Sequence, residues 1–212
     1  MQDELNPEVT LYREAEHAID AAFVSRWSPR AFSPEPIDDE TLRGVFEAAR
    51  WAASSFNEQP WRFLLARTEA DRETFLDFLA PFNQEWAKNA PVLVLVVSKK
   101  TFSHNGQPNA VFAFDAGTCS GYLTLQASLS GLVAHGMAGF DRDKARAALH
   151  IPNDFDPLAV FAIGKRGDKN TLPPNLQERE VPSNRRPIQE SIMEGGFRPA
   201  AEKAAEDDTQ ND

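Results

Sequence analysis

Six consecutive apolar residues, Val92-Leu93-Val94-Leu95-Val96-Val97, lie between Pro91 and Ser98. A strand of this composition offers water nothing on either face, so it is stable only where both faces are covered. The run predicts a central strand over residues 91–98 with layers packed on both sides of it. At 212 residues, 42% of them hydrophobic, the chain is long enough to supply those layers from one domain.

The flanking patterns say what the layers are. Residues 9–23 carry Leu11, Ala15, Ala18, Ile19, Ala22 and Phe23 at helical spacing, predicting a helix with Thr10 as its N-cap. Asp38 is placed to cap a second helix, with Asp39 and Glu40 in its first turn and Leu42, Val45, Phe46 and Ala49 as its buried stripe. Trp61 to Ala66 reads as a strand and residues 69–88 as a helix interrupted at Pro81. Residues 109–132 read as the longest helix, with apolar or small residues on more than one face, suited to burial partly against a copy of itself. Leu132 to Ala138 and Pro157 to Lys165 read as strands around a short helix over residues 142–149 capped by Asp141. The irregular alternation indicates α+β, a mixed or antiparallel sheet flanked by helices. Prolines at 173, 174, 182, 187 and 199 make the segment from about 166 to 200 an extended arm of this single domain, 1–200.

Charge narrows the partners. The net charge is −10, which disfavours nonspecific binding to nucleic acid or to an anionic membrane. Residues 201–212 hold five carboxylates against one lysine and read as an acidic, disordered tail. No stretch approaches the ~20 apolar residues of a membrane helix, and the N-terminus has no basic, apolar leader. The single Cys119 excludes an internal disulfide and a cysteine-based zinc site, and the cytoplasm is the expected compartment.

Several chemistries are also excluded. Neither a GxxxxGK[ST] nor a GxGxxG pattern is present. Ser120 lacks the GxSxG spacing and sits inside a predicted helix. His17, His104, His135 and His150 are scattered with no ligand spacing, so no metal is expected, and His135 reads as a hydrogen-bonded structural residue.

The informative constellation is Arg26-Trp27-Ser28-Pro29-Arg30, where two guanidinium groups and a hydroxyl share one turn. Arginine forks match phosphate oxygens, and hydrogen bonds to charged groups contribute about 1.5–3 kcal/mol each. A second segment, Ala52 to Phe63, ends a helix in Ser54-Ser55-Phe56-Asn57-Glu58-Gln59-Pro60-Trp61 and starts a strand. Together with Gly121 to Ala127, His135 to Asp141 and Pro157 to Gly164, in this order over residues 16–198, the chain resembles the nitroreductase family of flavin mononucleotide (FMN) enzymes. Ala53 stands where that family commonly has proline.

The resemblance implies a homodimer with FMN at the interface. It makes Arg26, Trp27 and Ser28 ligands of the phosphate and ribityl chain, and Arg30 the cation near the flavin pyrimidine edge, where it would stabilise negative charge. Ser54, Ser55 and Asn57 resemble ligands supplied by the partner subunit, and Gln59 a contact to the ring. Met137 and Gly139 fall in the flavin-edge loop. There Ala138 stands where the best-known branch has a glutamate, so the contacts near N5 stay open, with main-chain groups as one candidate source. Asn83 stands open between flavin ligand and plain loop residue. One of Arg185 and Arg186 would return to the phosphate from the C-terminal arm. The implied activity is reduction of small electrophiles such as nitroaromatics, quinones or free flavin, with electrons from NADH or NADPH, by a ping-pong mechanism. The rivals are another flavin reaction on the same fold, such as dehalogenation or ring cleavage, and a nonenzymatic binding module.

Overall fold

The computed structural model describes residues 5–197. Its framework is a four-stranded antiparallel sheet in the order β1-β2-β4-β3, with β1 Trp61–Ala66, β2 Val92–Lys99, β3 Val133–Met137 and β4 Phe155–Gly164. The sheet is thus antiparallel throughout, the second of the two forms the sequence allowed. The apolar run is β2, buried along nearly its whole length.

Alternation within β2 builds two cores from one strand. Leu93, Leu95 and Val97 face one core with Phe75, Phe78, Trp86, Ala145 and Leu176. Val92, Val94 and Val96 face the other with Leu42, Val45, Ala49, Ala116, Cys119, Leu123 and Ala127. The helices α4 Glu69–Phe78, α5 Pro81–Ala87 and α7 Arg142–Ala148 cover the first face. The second is covered by α3 Asp39–Arg50 and α6 Phe112–Leu129. Each fully buried Leu or Val contributes roughly 1.5–3 kcal/mol relative to exposure, so this double-sided burial is what holds the sheet.

Local signals set the boundaries. Asp38 accepts from Thr41 N at 2.8 Å and Asp141 from Lys144 N at 2.9 Å, as their cap positions predict. Pro81 opens α5 at its first turn, which is where proline is tolerated. Gly131, at φ +72°, ends α6 in the left-handed conformation that a side chain disfavours. One face of α6 packs in the core, whereas Phe114, Tyr122 and Leu129 on the rest are exposed.

The helix expected over residues 9–23 is corrected. The structure forms α1 Pro7–Thr10, capped by Asn6, and α2 Ala21–Ser25, capped by Asp20. Thr10 therefore ends a helix instead of starting one. Leu11, Ile19 and Phe23, the apolar residues that suggested a continuous stripe, are 88%, 58% and 60% exposed, so nothing in this chain rewards a helix there. Among the described residues after β4 the regular elements are α8 Pro174–Gln177 and short 3₁₀ turns, and Leu172 and Leu176 return to the core. The tail at 201–212 lies outside the described residues.

Candidate functional site

The Arg26–Arg30 turn follows α2 and leads into a stretch that pairs with the chain beyond β4. Phe32 bridges Arg166, Gly167 N donates to Ala31 O at 2.9 Å, and Ser33 N to Lys165 O at 3.0 Å. A Cβ at Gly167 would come within 2.5 Å of the Phe32 backbone, so only glycine permits this approach. The pairing places residues 26–30 against the returning C-terminal arm.

Between them lies a cavity of about 310 Å³ lined by Arg13, Arg26, Trp27, Ser28, Arg30, His135, Arg179, Val181, Ser183 and Arg185. Five guanidinium groups and no carboxylate line it. Among the described residues, none of the five forms an ion pair. Burial, then Arg185, hold the Arg26 guanidinium below its ordinary pKa. Arg13 is lowered by burial, Arg185 and Arg26 in that order. Arg30 is lowered chiefly by burial, with Glu180 opposing and Arg179 adding to the shift, and its buried Nε has no hydrogen-bond partner. Mutually repelling cations in a partly desolvated cavity favour a multiply charged anion. Ser28 Oγ, 3.4 Å from Arg26 Nη1, adds a hydroxyl to the same wall.

Two of these cations were not legible in the sequence. Arg13, within the segment expected as one helix, donates to Val24 O at 2.7 Å, Arg26 O at 2.6 Å and Ser183 O at 2.9 Å. It thereby staples the turn to the C-terminal arm. Arg179 and Arg30 both lie over the Phe82 ring, at 5.7 and 5.9 Å from its centroid. Of the basic pair, Arg185 lines the cavity, whereas Arg186 appears only in an adjoining cleft with Glu14, Glu16 and Ile188.

His135 is the hydrogen-bonded residue expected, with Nδ1 donating to Pro29 O at 2.9 Å and its ring 4.5 Å from that of Trp86. Burial pushes its pKa down to about 4, so it is neutral near pH 7 and buttresses the turn without adding charge. Cys119 is buried and its thiol pushed up to about 12, and Ser120 Oγ donates to Ala116 O at 2.8 Å inside α6. Neither is an activated nucleophile.

Ser54, Ser55, Asn57 and Gln59 do not share this cavity. They form a separate turn in which Ser54 Oγ accepts from Gln59 N at 3.0 Å and Gln59 Nε2 donates to Asn57 O at 3.1 Å. The buried Asp115 accepts from Ser55 N at 3.1 Å, an anchor the sequence did not reveal. Phe56, Asn57 and Gln59 have φ of 52°, 55° and 49°, a strained run of the kind held in place only where surroundings over-determine it. Glu58 accepts from Ser103 N at 2.9 Å and binds the 101–108 loop, whose Phe102 and His104 pack on the exposed Phe56 at 5.7 and 6.0 Å.

The segment 135–141 resembling the flavin-edge loop places Met137 at the end of β3. Its thioether is in the core because β3 alternates inward there, so only its backbone is available. The Gly139 carbonyl accepts from Ala80 N and from Asn83 Nδ2, each at 3.0 Å, so in this chain Asn83 ties α5 to the loop. No group of three His, Cys, Asp or Glu among the described residues is arranged to hold a metal, and none of the described helices is long and apolar enough to cross a membrane.

The sequence model described as the Nitroreductase family matches residues 23–81 and 77–165. A Streptomyces coelicolor protein, provisionally named NADH dehydrogenase/NAD(P)H nitroreductase, is 31% identical over 163 residues, spanning 68% of this chain and 81% of its own. The NADH dehydrogenase of Thermus thermophilus is 26% identical over 204 residues, spanning 81% and 93%. A crystal structure described as an oxidoreductase containing FMN superposes with a TM-score of 0.85 and 44% identity, covering 89% of this chain and 97% of that one.

Proposed function

The chain belongs to the nitroreductase family, and from that premise we propose that it is an FMN-dependent oxidoreductase that takes electrons from NADH or NADPH and delivers them to small electrophiles. The observation that carries this reading is the cavity of five arginines without a carboxylate, lined by the Arg26–Arg30 turn that resembles the family's phosphate turn. A phosphate dianion is the natural complement of that charge, and the orphaned Arg30 Nε fits an acceptor on the ligand.

Arg26, Ser28 and Arg185 hold the phosphate, and Arg13 and Arg179 add long-range attraction. Arg30 supplies fixed positive charge that favours negative charge developing on a bound ring. His135, neutral near pH 7 and bonded through Nδ1 to Pro29 O, fixes the turn and transfers no proton. FMN, when bound, would supply the two-electron redox chemistry that links nicotinamide to the acceptor. The protein's part is to bind, orient and keep the two substrates in one pocket by turns, a ping-pong scheme.

We assign the turn at Ser54, Ser55, Asn57 and Gln59 to the flavin of a partner subunit. Its separation from the arginine cavity supports that assignment, as do the exposed Phe23, Tyr122 and Leu129 lining the cleft along α6. The single buried thiol accords with a cytoplasmic setting. The test is to purify the protein, record its visible spectrum, and follow NADH and NADPH oxidation with a quinone and a nitroaromatic. A colourless protein would favour a binding module, and a yellow one that leaves nicotinamide untouched would favour another flavin reaction.

A further inference from the structure

The ligand-facing side chains of the Arg26–Arg30 turn leave its backbone facing inward. Ala31 is fully buried, so the N–H groups of Arg30 and Ala31 need acceptors inside the protein. Both find the same one. The carboxylate of Glu180, whose side chain has no exposed surface, accepts from Arg30 N at 2.8 and 3.0 Å and from Ala31 N at 2.8 Å. Its charge is balanced by Arg166, whose Nη1 donates to it at 2.9 Å and whose Nη2 reaches Glu8 at 2.6 Å. The Arg166 guanidinium also lies 5.2 Å from the centroid of the Trp27 ring and donates to Ala31 O at 3.2 Å. An acid–base–acid triad drawn from positions 8, 166 and 180 thus clamps the back of the turn.

We propose that Glu180 is a positioning residue for cofactor phosphate, setting the conformation of the Arg26–Arg30 turn from behind while its own segment carries the opposite wall of the cavity. This rests on the reading of the cavity as the FMN phosphate site. Val181, Ser183 and Arg185, which follow Glu180 directly, line that cavity. One buried contact therefore registers both walls, and Arg13 fastens the far side through Ser183 O and Arg26 O. Two backbone N–H groups and a guanidinium all donate to one point, and a carboxylate alone accepts from every direction. A glutamine would turn an NH₂ donor toward a donor, shifting the turn or leaving a buried group unsatisfied. Glu180 itself has no surface from which to touch a ligand.

Riboflavin, which lacks only the phosphate, separates positioning from general stability. Full-length wild type, Arg26→Ala, Glu180→Gln and Glu180→Asp are titrated with FMN and with riboflavin by flavin fluorescence. Wild type is expected to prefer FMN. Glu180→Gln should lower the ratio of FMN to riboflavin affinity by about tenfold or more, the equivalent of one charge-assisted hydrogen bond, with riboflavin affinity held within about twofold. Glu180→Asp, keeping the charge on a shorter arm, should fall between. A Glu180→Gln ratio equal to wild type, whether both affinities persist or both fall together, overturns the proposal. If Glu180→Gln does not fold, Glu180→Asp and Arg166→Lys are read by the same ratio, and wild-type values in both overturn it equally. Wild type with no preference for FMN would instead sink the phosphate reading of the cavity. A preference lost in Arg26→Ala but kept in Glu180→Gln would sink only the role of Glu180.

Discussion

Arg26→Ala should act in opposite directions on cofactor binding and on the stability of the flavin-free protein. In the wild type the Arg26 guanidinium is partly desolvated and faces Arg185, and both effects disfavour its charge. Its pKa is lowered, so at neutral pH the cation is a cost to the folded state, and that cost would be relieved only in strongly alkaline solution. Truncation removes the cost. It also removes one charge-assisted hydrogen bond to phosphate, worth about 1.5–3 kcal/mol, which corresponds to a rise of roughly 10- to 150-fold in the FMN dissociation constant. The assay is thermal unfolding with and without added FMN, alongside flavin content after purification. Without flavin the midpoint of Arg26→Ala should equal or exceed that of wild type. With FMN at about 100 times the wild-type dissociation constant, wild type gains ~2.7 kcal/mol by mass action, and the variant should lose roughly half to nine-tenths of that gain. Stoichiometric retained flavin would refute the assignment of phosphate to Arg26. A flavin-free variant markedly less stable than wild type would show that Arg26 is a structural residue.

Arg185→Ala should weaken FMN by about tenfold, again the value of one charged hydrogen bond, and Arg186→Ala far less, because only Arg185 lines the cavity; equal effects in dialysis would remove the distinction. Mixing inactive Arg26→Ala and Asn57→Ala proteins under subunit exchange should restore part of the activity by rebuilding one site in each mixed dimer, and no recovery despite confirmed exchange would mean that each chain builds its own site. His135, lowered to about 4 from its ordinary 6.5, must take up its proton on unfolding, so stability should fall as the pH drops from about 6.5 to 4, by at most ~3 kcal/mol. His135→Gln should flatten that window in unfolding experiments and should change turnover at pH 7 by less than about tenfold, below the ~100-fold contribution of a general acid. Double-reciprocal plots at several acceptor concentrations should run parallel, and intersecting lines would show both substrates bound together.

The fold was legible wherever burial was decided within the segment itself. The apolar run of β2 required two covered faces, and both cores are built from its alternating side chains. Asp38, Pro81 and Asp141 act through neighbours three or four residues away, so their spacing fixed α3, α5 and α7. The segment 9–23 failed for the opposite reason. Its apolar periodicity is real, yet Leu11, Ile19 and Phe23 have no surface in this chain to pack against, and Asp20 caps a new helix midway. Periodicity reports a potential apolar face and cannot say whether a surface exists to receive it.

The candidate site divides along the same line between groups proposed to meet a ligand and groups that meet the chain. Arg26, Ser28 and Arg30 were readable as a proposed phosphate turn because phosphate chemistry favours those types within one turn, and that proximity is written in the sequence. Glu180, Arg166, Glu8 and Arg13 hold the turn, and each lies more than ten residues from it, brought near only by the pairing of Phe32 with Arg166 and the return of the arm. A buried carboxylate answering two backbone donors requires no fixed spacing and no particular neighbour, so nothing local distinguishes Glu180 from the exposed Glu178 two residues earlier. Asp115 is the same case at the second segment, holding Ser55 N across 60 positions. Both carboxylates accept from backbone N–H groups of the two turns proposed to bind cofactor, so a buried acid that accepts from the back of such a turn is what to look for once the turn itself has been found.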